Sequence, residues 1–344
     1  MKRLIILTVL VLTVPVLAQP RTSENDPRLA EFLKQRPQAD ADRDGVLTIE
    51  EAKAFQELVR QWRERNKPRD PDHANIAYGD HERHVIDLYL ADSDTPTPLV
   101  IFIHGGGFVA GSKDNVNGPM VTRLNEAGIS VAAINYRYIT TDPLPAPFED
   151  AARAVQFLRH HAKDHNLDRA RFAATGGSAG AGTSLYLAFH DDMADADSDD
   201  PIARQSTRLT CAQVSGAQVS YDIFWWETIG LPGAQKHPSF ERMFAVSDEQ
   251  PFDSPAVRDL MRRTAPINHL TADDPPVMLN YNVPNEPVTE ATTLGALVHH
   301  PKHGIVLKER MDELGIECIV VYPGGPEVET DPVSFLIERL GHGR

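Results

Sequence analysis

Ser178 lies between Gly176 and Gly180 in ARFAATGGSAGAGTSLYLAF, with an apolar strand-like run before it and a small-residue helical run after it. A tight strand-to-helix turn leaves no room for side chains at the flanking glycines. It also lifts the serine hydroxyl to a helix N-terminus, where developing negative charge is favoured. Upstream, IFIHGGGFVAGS places His104, Gly105, Gly106 and Gly107 directly after another apolar run. Glycines there let backbone amides turn toward a reacting atom without side chains in the way. The two segments together describe nucleophilic attack by a serine on a carbonyl, with amides holding the oxyanion.

A serine hydroxyl is a poor nucleophile at neutral pH unless a base lies within hydrogen-bond reach. The strip HHPKHG, residues 299–304, offers His299, His300 and His303. Pro301 fixes the turn at a helix start, which favours His300 as the base over His299 and makes His303 a first-turn residue. Two other readings stay open: His299 and His303 as metal ligands at i, i+4, with no third ligand nearby in sequence, or a structural or surface role for all three.

A second kind of chemistry is written in DADRDGVLTIEE, residues 40–51. Asp40, Asp42 and Asp44 alternate on a turn, Gly45 allows its sharp bend, Val46 offers a carbonyl and Glu51 a bidentate carboxylate. Gathering that many oxygens suits a hard cation, and the pattern resembles the EF-hand calcium loop. PRLAEFLKQ and EEAKAFQELVRQW supply flanking helices. Calcium is therefore the expected cofactor, with no organic cofactor. A lone loop suggests a structural or docking role, and the later acidic run DDMADADSDDP lacks the glycine and the twelfth-position glutamate of such a loop.

The glycine-rich loop and the G-x-S-x-G turn, in this order, make residues 76–344 resemble the α/β-hydrolases, specifically the secreted carboxylesterases with an HGGG loop. DPLPAPFEDAARAVQFLRHHA and SPAVRDLMRRTAPINHLTADDPPVML look like segments of the same family. The resemblance implies that Ser178 attacks an ester carbonyl, that the amides of Gly106, Gly107 and Ala179 hold the oxyanion, and that His104 shapes the loop. It also implies an acid in the loop after PPVMLNY and a histidine after the last strand. The loop reads NVPNEPV, putting Asn285 at the acid position with Glu286 beside it, and PEVETDPVSF after YPGG has no histidine. Asp273 and Asp274 precede their strand and belong at its opposite end. Two functions follow: a serine esterase acting on small-molecule or polysaccharide esters, or a catalytically silent homologue that binds a ligand or partner.

These groups need a scaffold that brings distant segments to one edge. From about residue 76, apolar runs NIAYG, HVIDLYLA, PLVIFIHGGG, SVAAINYRY, RFAATGGS, CAQVSGAQVS, PPVMLNYNV and ECIVVYPGG alternate with helical periodicities. Ala151, Val155, Leu158 and Ala162 share one helical face, as do Leu307, Met311 and Leu314. The pattern predicts an α/β fold: a mostly parallel sheet with helices on both faces, preceded by a helical segment over 19–75.

The 344 residues are 41% hydrophobic and 24% charged, enough for a large core. Residues 1–18, MKRLIILTVLVLTVPVLA, have a basic start, an apolar run too short to span a bilayer and small residues at a cleavage site, so a cleaved signal peptide and a secreted or periplasmic protein are expected. The 34 basic side chains less Lys2 and Arg3, against 49 acidic ones, leave a formal charge of −17. That balance argues against nucleic acid and anionic membranes as partners. Cys211 and Cys318 each sit in a separate apolar run, the setting of inert thiols.

Overall fold

A computed structural model describes residues 20–341. The expected signal peptide lies outside the described residues. The chain divides into two compact units, Met1–Asn66 and Lys67–Arg344. The boundary falls earlier than the expected 75/76 because His73–Ala77 already form the first strand of the larger unit.

In the smaller unit, helices α1 (Pro27–Gln35) and α2 (Ile49–Arg65) flank the acidic loop. Asp26 caps α1, its carboxylate accepting the Arg28 amide at 2.9 Å. Leu29, Ala39, Leu47 and Ala52 are buried together, with Phe32 and Phe55 edge to face at 6.2 Å. This core is small, and Leu58 and Trp62 of α2 remain exposed.

The larger unit carries eight strands: β1 (His73–Ala77), β2 (Val85–Tyr89), β3 (Thr97–Ile103), β4 (Ser130–Ile134), β5 (Leu167–Gly177), β6 (Cys211–Ser215), β7 (Val277–Asn280) and β8 (Cys318–Val321). They form one sheet in the order β1-β2-β4-β3-β5-β6-β7-β8. The pairs β1/β2 and β2/β4 are antiparallel and all the others parallel. Helices are α3 (Gly118–Glu126), α4 (Ala146–His160), α5 (Ala179–Phe189), α6 (Ile223–Thr228), α7 (Ser239–Met243), α8 (Pro255–Arg263), α9 (Leu294–Val298), α10 (Lys302–Glu313) and α11 (Pro332–Gly341).

Burial on both faces explains why the strands read as continuous apolar runs. Along β3, Leu99, Ile101 and Ile103 enter one core with α4, α5 and α10, whereas Val100 joins Val121 and Leu124 of α3 and Phe335, Leu336 and Leu340 of α11 on the other. Cys211 and Cys318 are buried free thiols, and burial pushes both up to about 12.

Register decides what meets at the edge. Ile103 pairs with Gly176, Gly177 with Ser215, and Ser215 with Asn280. The chain segments leaving the C-terminal ends of β3, β5, β6 and β7 therefore emerge side by side. In open parallel sheets this edge is where sites are built.

Candidate active site

Ser178 occupies the turn between β5 and α5 with φ 53° and ψ −117°. For a side chain with a Cβ this is strained backbone, costing of order 1–3 kcal/mol, held only where surroundings enforce it. The enforcement is visible. The Ser178 amide donates to the Ser215 carbonyl at 2.9 Å, and the Ser178 carbonyl accepts the Gly182 amide at 3.0 Å. A Cβ on Gly176 would lie 2.5 Å from the Ile103 carbonyl oxygen, and one on Gly180 would lie 2.0 Å from that same oxygen. Both glycines are thus required by the close approach of β3 to the turn.

The HGGG segment packs directly against the serine. A Cβ on Gly105 would meet the Gly177 carbonyl at 2.5 Å and Ser178 Cβ at 3.6 Å. Gly106 and Gly107 have φ of 111° and 60°, and Gly106 folds the loop by accepting the Val109 and Ala110 amides at 3.1 and 3.2 Å. Among the described residues, the amides of Gly106 and Gly107 donate to no protein group. Ala179, as the first residue of α5, has no intrahelical acceptor for its own. Among the described residues these three donors are left without a protein acceptor.

His104 is a structural part of this loop. It is fully buried, stacks on Tyr136 at 4.2 Å, and its carbonyl accepts the Tyr136 hydroxyl at 2.7 Å. Its Nδ1 donates to the Gly105 carbonyl at 2.8 Å, leaving Nε2 to accept from Arg83 Nη2 at 3.2 Å. Burial first, and then the Arg83 charge, drives the imidazole down to about 4, so it stays neutral. Arg83 also donates to the carbonyls of Tyr136 at 2.7 Å and Gly111 at 3.3 Å, and its guanidinium lies over Tyr138. Sequence reasoning missed this brace, because nothing local to Arg83 signals a contact 21 residues away.

The imidazole facing Ser178 is that of His299. The Ser178 hydroxyl donates to His299 Nε2 across 2.9 Å. The expectation for His300 is thereby corrected. His300 Nε2 donates to the Glu286 carbonyl at 2.8 Å, and its Nδ1 accepts the Lys302 amide at 3.1 Å. The physical reason is the short helix α9: His299 is its C-cap, with its amide bonded to Gly295 at 3.2 Å, and this turn aims residue 299 at the serine and residue 300 away. His299 also lies against Gly216, where a Cβ would be 3.0 Å from its Cδ2. Gly216 has φ 60° and leaves room for the ring.

His303 is fully buried against Trp226, at 4.4 Å between ring centres, with neither ring nitrogen hydrogen-bonded. The pairing of His299 and His303 on a metal does not occur, since His299 is committed to the serine.

Among the described residues no carboxylate completes the row. Asn285 and Glu286 are exposed, and Glu286 meets His300 through its backbone alone. Asp273 and Asp274 pair with Arg208. Burial is the largest influence on His299 and lowers its pKa; a hydrogen bond to the Gly295 carbonyl partly opposes this. With Nε2 accepting the serine hydroxyl, the ring proton sits on Nδ1. The arrangement is a serine–histidine pair beside the glycine loop, with the His299 backbone held by the Gly295 carbonyl.

In the smaller unit, ligand atoms of Asp40, Asp42 and Asp44 lie within 4.8 Å of one another. Asp40 is only 8% exposed, and its Oδ1 has no hydrogen-bond partner, while Oδ2 accepts the Gly45 amide at 2.9 Å. Glu51, expected as a bidentate ligand, is outside this cluster: its carboxylate accepts the Ala41 amide at 3.1 Å, the Thr48 amide at 2.9 Å and the Thr48 hydroxyl at 2.8 Å. The middle of the loop is paired by the chain's own preceding segment. Ser23 donates its amide to the Leu47 carbonyl at 2.8 Å and accepts the Leu47 amide on its hydroxyl at 2.9 Å.

A family profile, BD-FAE, matches residues 86–289, more than half of the chain. This chain belongs to the BD-FAE family. The matched stretch contains the HGGG loop and the serine turn but ends before His299, so in this BD-FAE member the imidazole that faces Ser178 lies outside it. Esterase LipI of Mycobacterium tuberculosis is 30% identical over 148 residues, 38% of this chain and 44% of that protein. A probable isoprenylcysteine alpha-carbonyl methylesterase of Arabidopsis thaliana is 35% identical over 109 residues, 31% and 22% of the two chains. The chain thus spans less than half the length of these relatives. Among solved structures, a truncated carbohydrate esterase from gut microbiota superposes with a TM-score of 0.61 at 18% identity, covering 80% of this chain and 99% of that one. The acetyl ester-xyloside bifunctional hydrolase of Caldicellulosiruptor lactoaceticus gives 0.57 at 21% identity, covering 74% and 86%. These likenesses establish the α/β-hydrolase fold of the BD-FAE unit.

Proposed function

We propose that this protein is a serine carboxylesterase that hydrolyses acyl esters through a Ser178 acyl-enzyme. The observation that carries the reading is the 2.9 Å contact between Ser178 Oγ and His299 Nε2 beside three free amides. In the first half-reaction Oγ attacks the ester carbonyl carbon while its proton passes to Nε2. The carbonyl π pair moves onto oxygen, where the amides of Gly106, Gly107 and Ala179 hold it. Collapse breaks the bond to the alcohol oxygen, which leaves with the proton from Nε2. Water then repeats the sequence on the acyl-enzyme, with His299 as base and then acid, and releases the carboxylic acid and free Ser178.

The relatives' names include an esterase and an ethyl acetate hydrolase, and those of the structural neighbours an acetyl ester-xyloside hydrolase and a carbohydrate esterase. These support an acyl ester substrate and make a sugar-linked ester the alcohol class to test. The N-terminal sequence supports secretion, and among the described residues no helix is long and apolar enough to cross a membrane. We further propose that Asp40, Asp42 and Asp44, with the Val46 carbonyl, hold a calcium ion. The buried, unpartnered Asp40 Oδ1 supports the fit, because such an oxygen is costly without a cation or donor. Bound there, the ion would offset two of the three carboxylate charges and rigidify the helix–loop–helix.

One observation favours a second reading, a ligand-binding homologue without turnover: among the described residues no carboxylate touches His299. A fluorophosphonate probe and a nitrophenyl acetate assay on the protein and on Ser178→Ala separate the two. Ser178-dependent labelling and turnover support the esterase; equal rates and no labelling overturn it.

A further inference from the structure

The segment His237–Ser239 crosses from the base to the oxyanion loop. Its first end lies near α9, which carries His299: the helical turn Ala234–Lys236 before it is preceded by Gly233, where a Cβ would lie 4.0 Å from Leu297 Cδ2 of α9. Its other end reaches the loop, since a Cβ on Gly107 would lie 3.2 Å from Ser239 Oγ. The segment is held rigidly. The Ser239 amide donates to His237 Nδ1 at 3.3 Å, and Phe240 packs edge-on against Trp226 at 5.5 Å. Met243 at the end of α7 accepts the Leu144 amide at 2.9 Å.

Ser239 is 4% exposed, yet among the described residues its hydroxyl has no hydrogen-bond partner. It differs from the Tyr221 hydroxyl, which is enclosed in the core and also unpartnered. The Ser239 hydroxyl is not enclosed in this way; it stays open to a molecule bound at the loop, and its place beside Gly107 lets it donate to such a molecule. We propose that Ser239 is a further catalytic residue, its Oγ–H donating to the oxyanion of the acyl intermediate alongside the Gly106, Gly107 and Ala179 amides. The assignment rests on the esterase reading above. The hydroxyl gains its acceptor only when negative charge forms on the carbonyl oxygen, so it acts on the barrier more than on substrate binding.

The test uses the full protein with nitrophenyl acetate, and a boronic acid as analogue of the tetrahedral intermediate. Ser239→Ala is expected to lower kcat roughly 10- to 100-fold, less than the loss of a backbone-type donor at the centre of the hole, with KM within about threefold. Boronate affinity falls by a similar factor while Tm is unchanged, and Ser239→Thr, which keeps the hydroxyl, recovers most of kcat. An unchanged kcat in Ser239→Ala overturns the assignment, as does a Thr variant as impaired as Ala or a loss that tracks Tm. Absence of Ser178-dependent turnover in the parent protein overturns the esterase reading and this assignment with it; turnover in the parent with an unaffected Ser239→Ala overturns this assignment alone.

Discussion

His299 reaches Ser178 from a helix that follows β7, across 121 residues of sequence, and not from the segment after β8. The place after β8 holds Glu327, Glu329 and Asp331 instead, and Asp331 is tied to Arg123 of α3 at 2.9 Å. The C-terminal end of α9 thus presents the imidazole to Ser178, its backbone held by the bond from the His299 amide to the Gly295 carbonyl.

Substituting the two adjacent histidines separates their roles. His299→Ala removes the proton acceptor and is expected to lower kcat by about 10³-fold or more, leaving the background that amide donors and binding alone provide. His300→Ala removes a contact to the Glu286 backbone and is expected to cost less than about tenfold, with a lowered Tm from loosening the loop. Steady-state kinetics of both variants decides; equal losses in kcat would refute the assignment of the base.

The pH profile follows from the environment of His299. Burial lowers its pKa below the ordinary 6.5, with the Gly295 carbonyl opposing in part. The imidazole must be neutral to accept the serine proton, so kcat/KM rises with pH as His299 deprotonates. The midpoint of that acid limb is expected below 6.5. A carboxylate on Nδ1 would move it the other way. A limb centred above 7 would mean that an acid does reach the ring in solution.

Much of this was legible in residue order. All eight strands overlap the runs expected for them, with β1, β3 and β5 starting earlier, because strands buried on both faces are apolar throughout and the intervening helices carry a 3.6-residue period. Gly176, Gly180 and the HGGG loop were readable because tight turns admit few residue types. The choice between His299 and His300 was not, since it depends on the C-cap geometry of a five-residue helix, which shifts the direction of a side chain by about 100° per residue. Arg83 and Ser239 were equally hidden. Each acts through contacts made by chain segments distant in sequence, and neither type is rare enough to attract notice.

Two buried imidazoles link fold stability to pH. Burial holds His303 at about 3 and His104 at about 4, against an ordinary 6.5. Both are neutral when folded and take up a proton when unfolded, so the unfolded state binds more protons below 6.5 and stability falls as pH drops toward 4. His303→Phe, which fills the same space against Trp226 without a titrating group, is expected to flatten part of that fall. Thermal unfolding from pH 7 to 4 measures it, and identical slopes in both proteins would refute the contribution.

The loop over residues 40–51 makes a separate prediction about calcium. Leu47 is held by Ser23, and the Ile49 amide reaches the Arg21 carbonyl at 3.3 Å. Residues 21–23 therefore brace the acidic loop, and under the calcium proposal they would help hold its ligands in place. Calorimetric titration of the protein from residue 19 onward is expected to show one calcium site. Asp40→Asn, which removes a buried charge from the ligand set, should weaken it roughly tenfold or more. Ser23→Pro, which removes the amide and hydroxyl that grip Leu47 while leaving every ligand in place, should weaken it by a smaller factor and lower calcium-induced protection of α2 from proteolysis. Binding that survives Asp40→Asn unchanged would place the ion elsewhere. Binding that survives Ser23→Pro unchanged would show that the acidic loop holds its shape without the preceding segment.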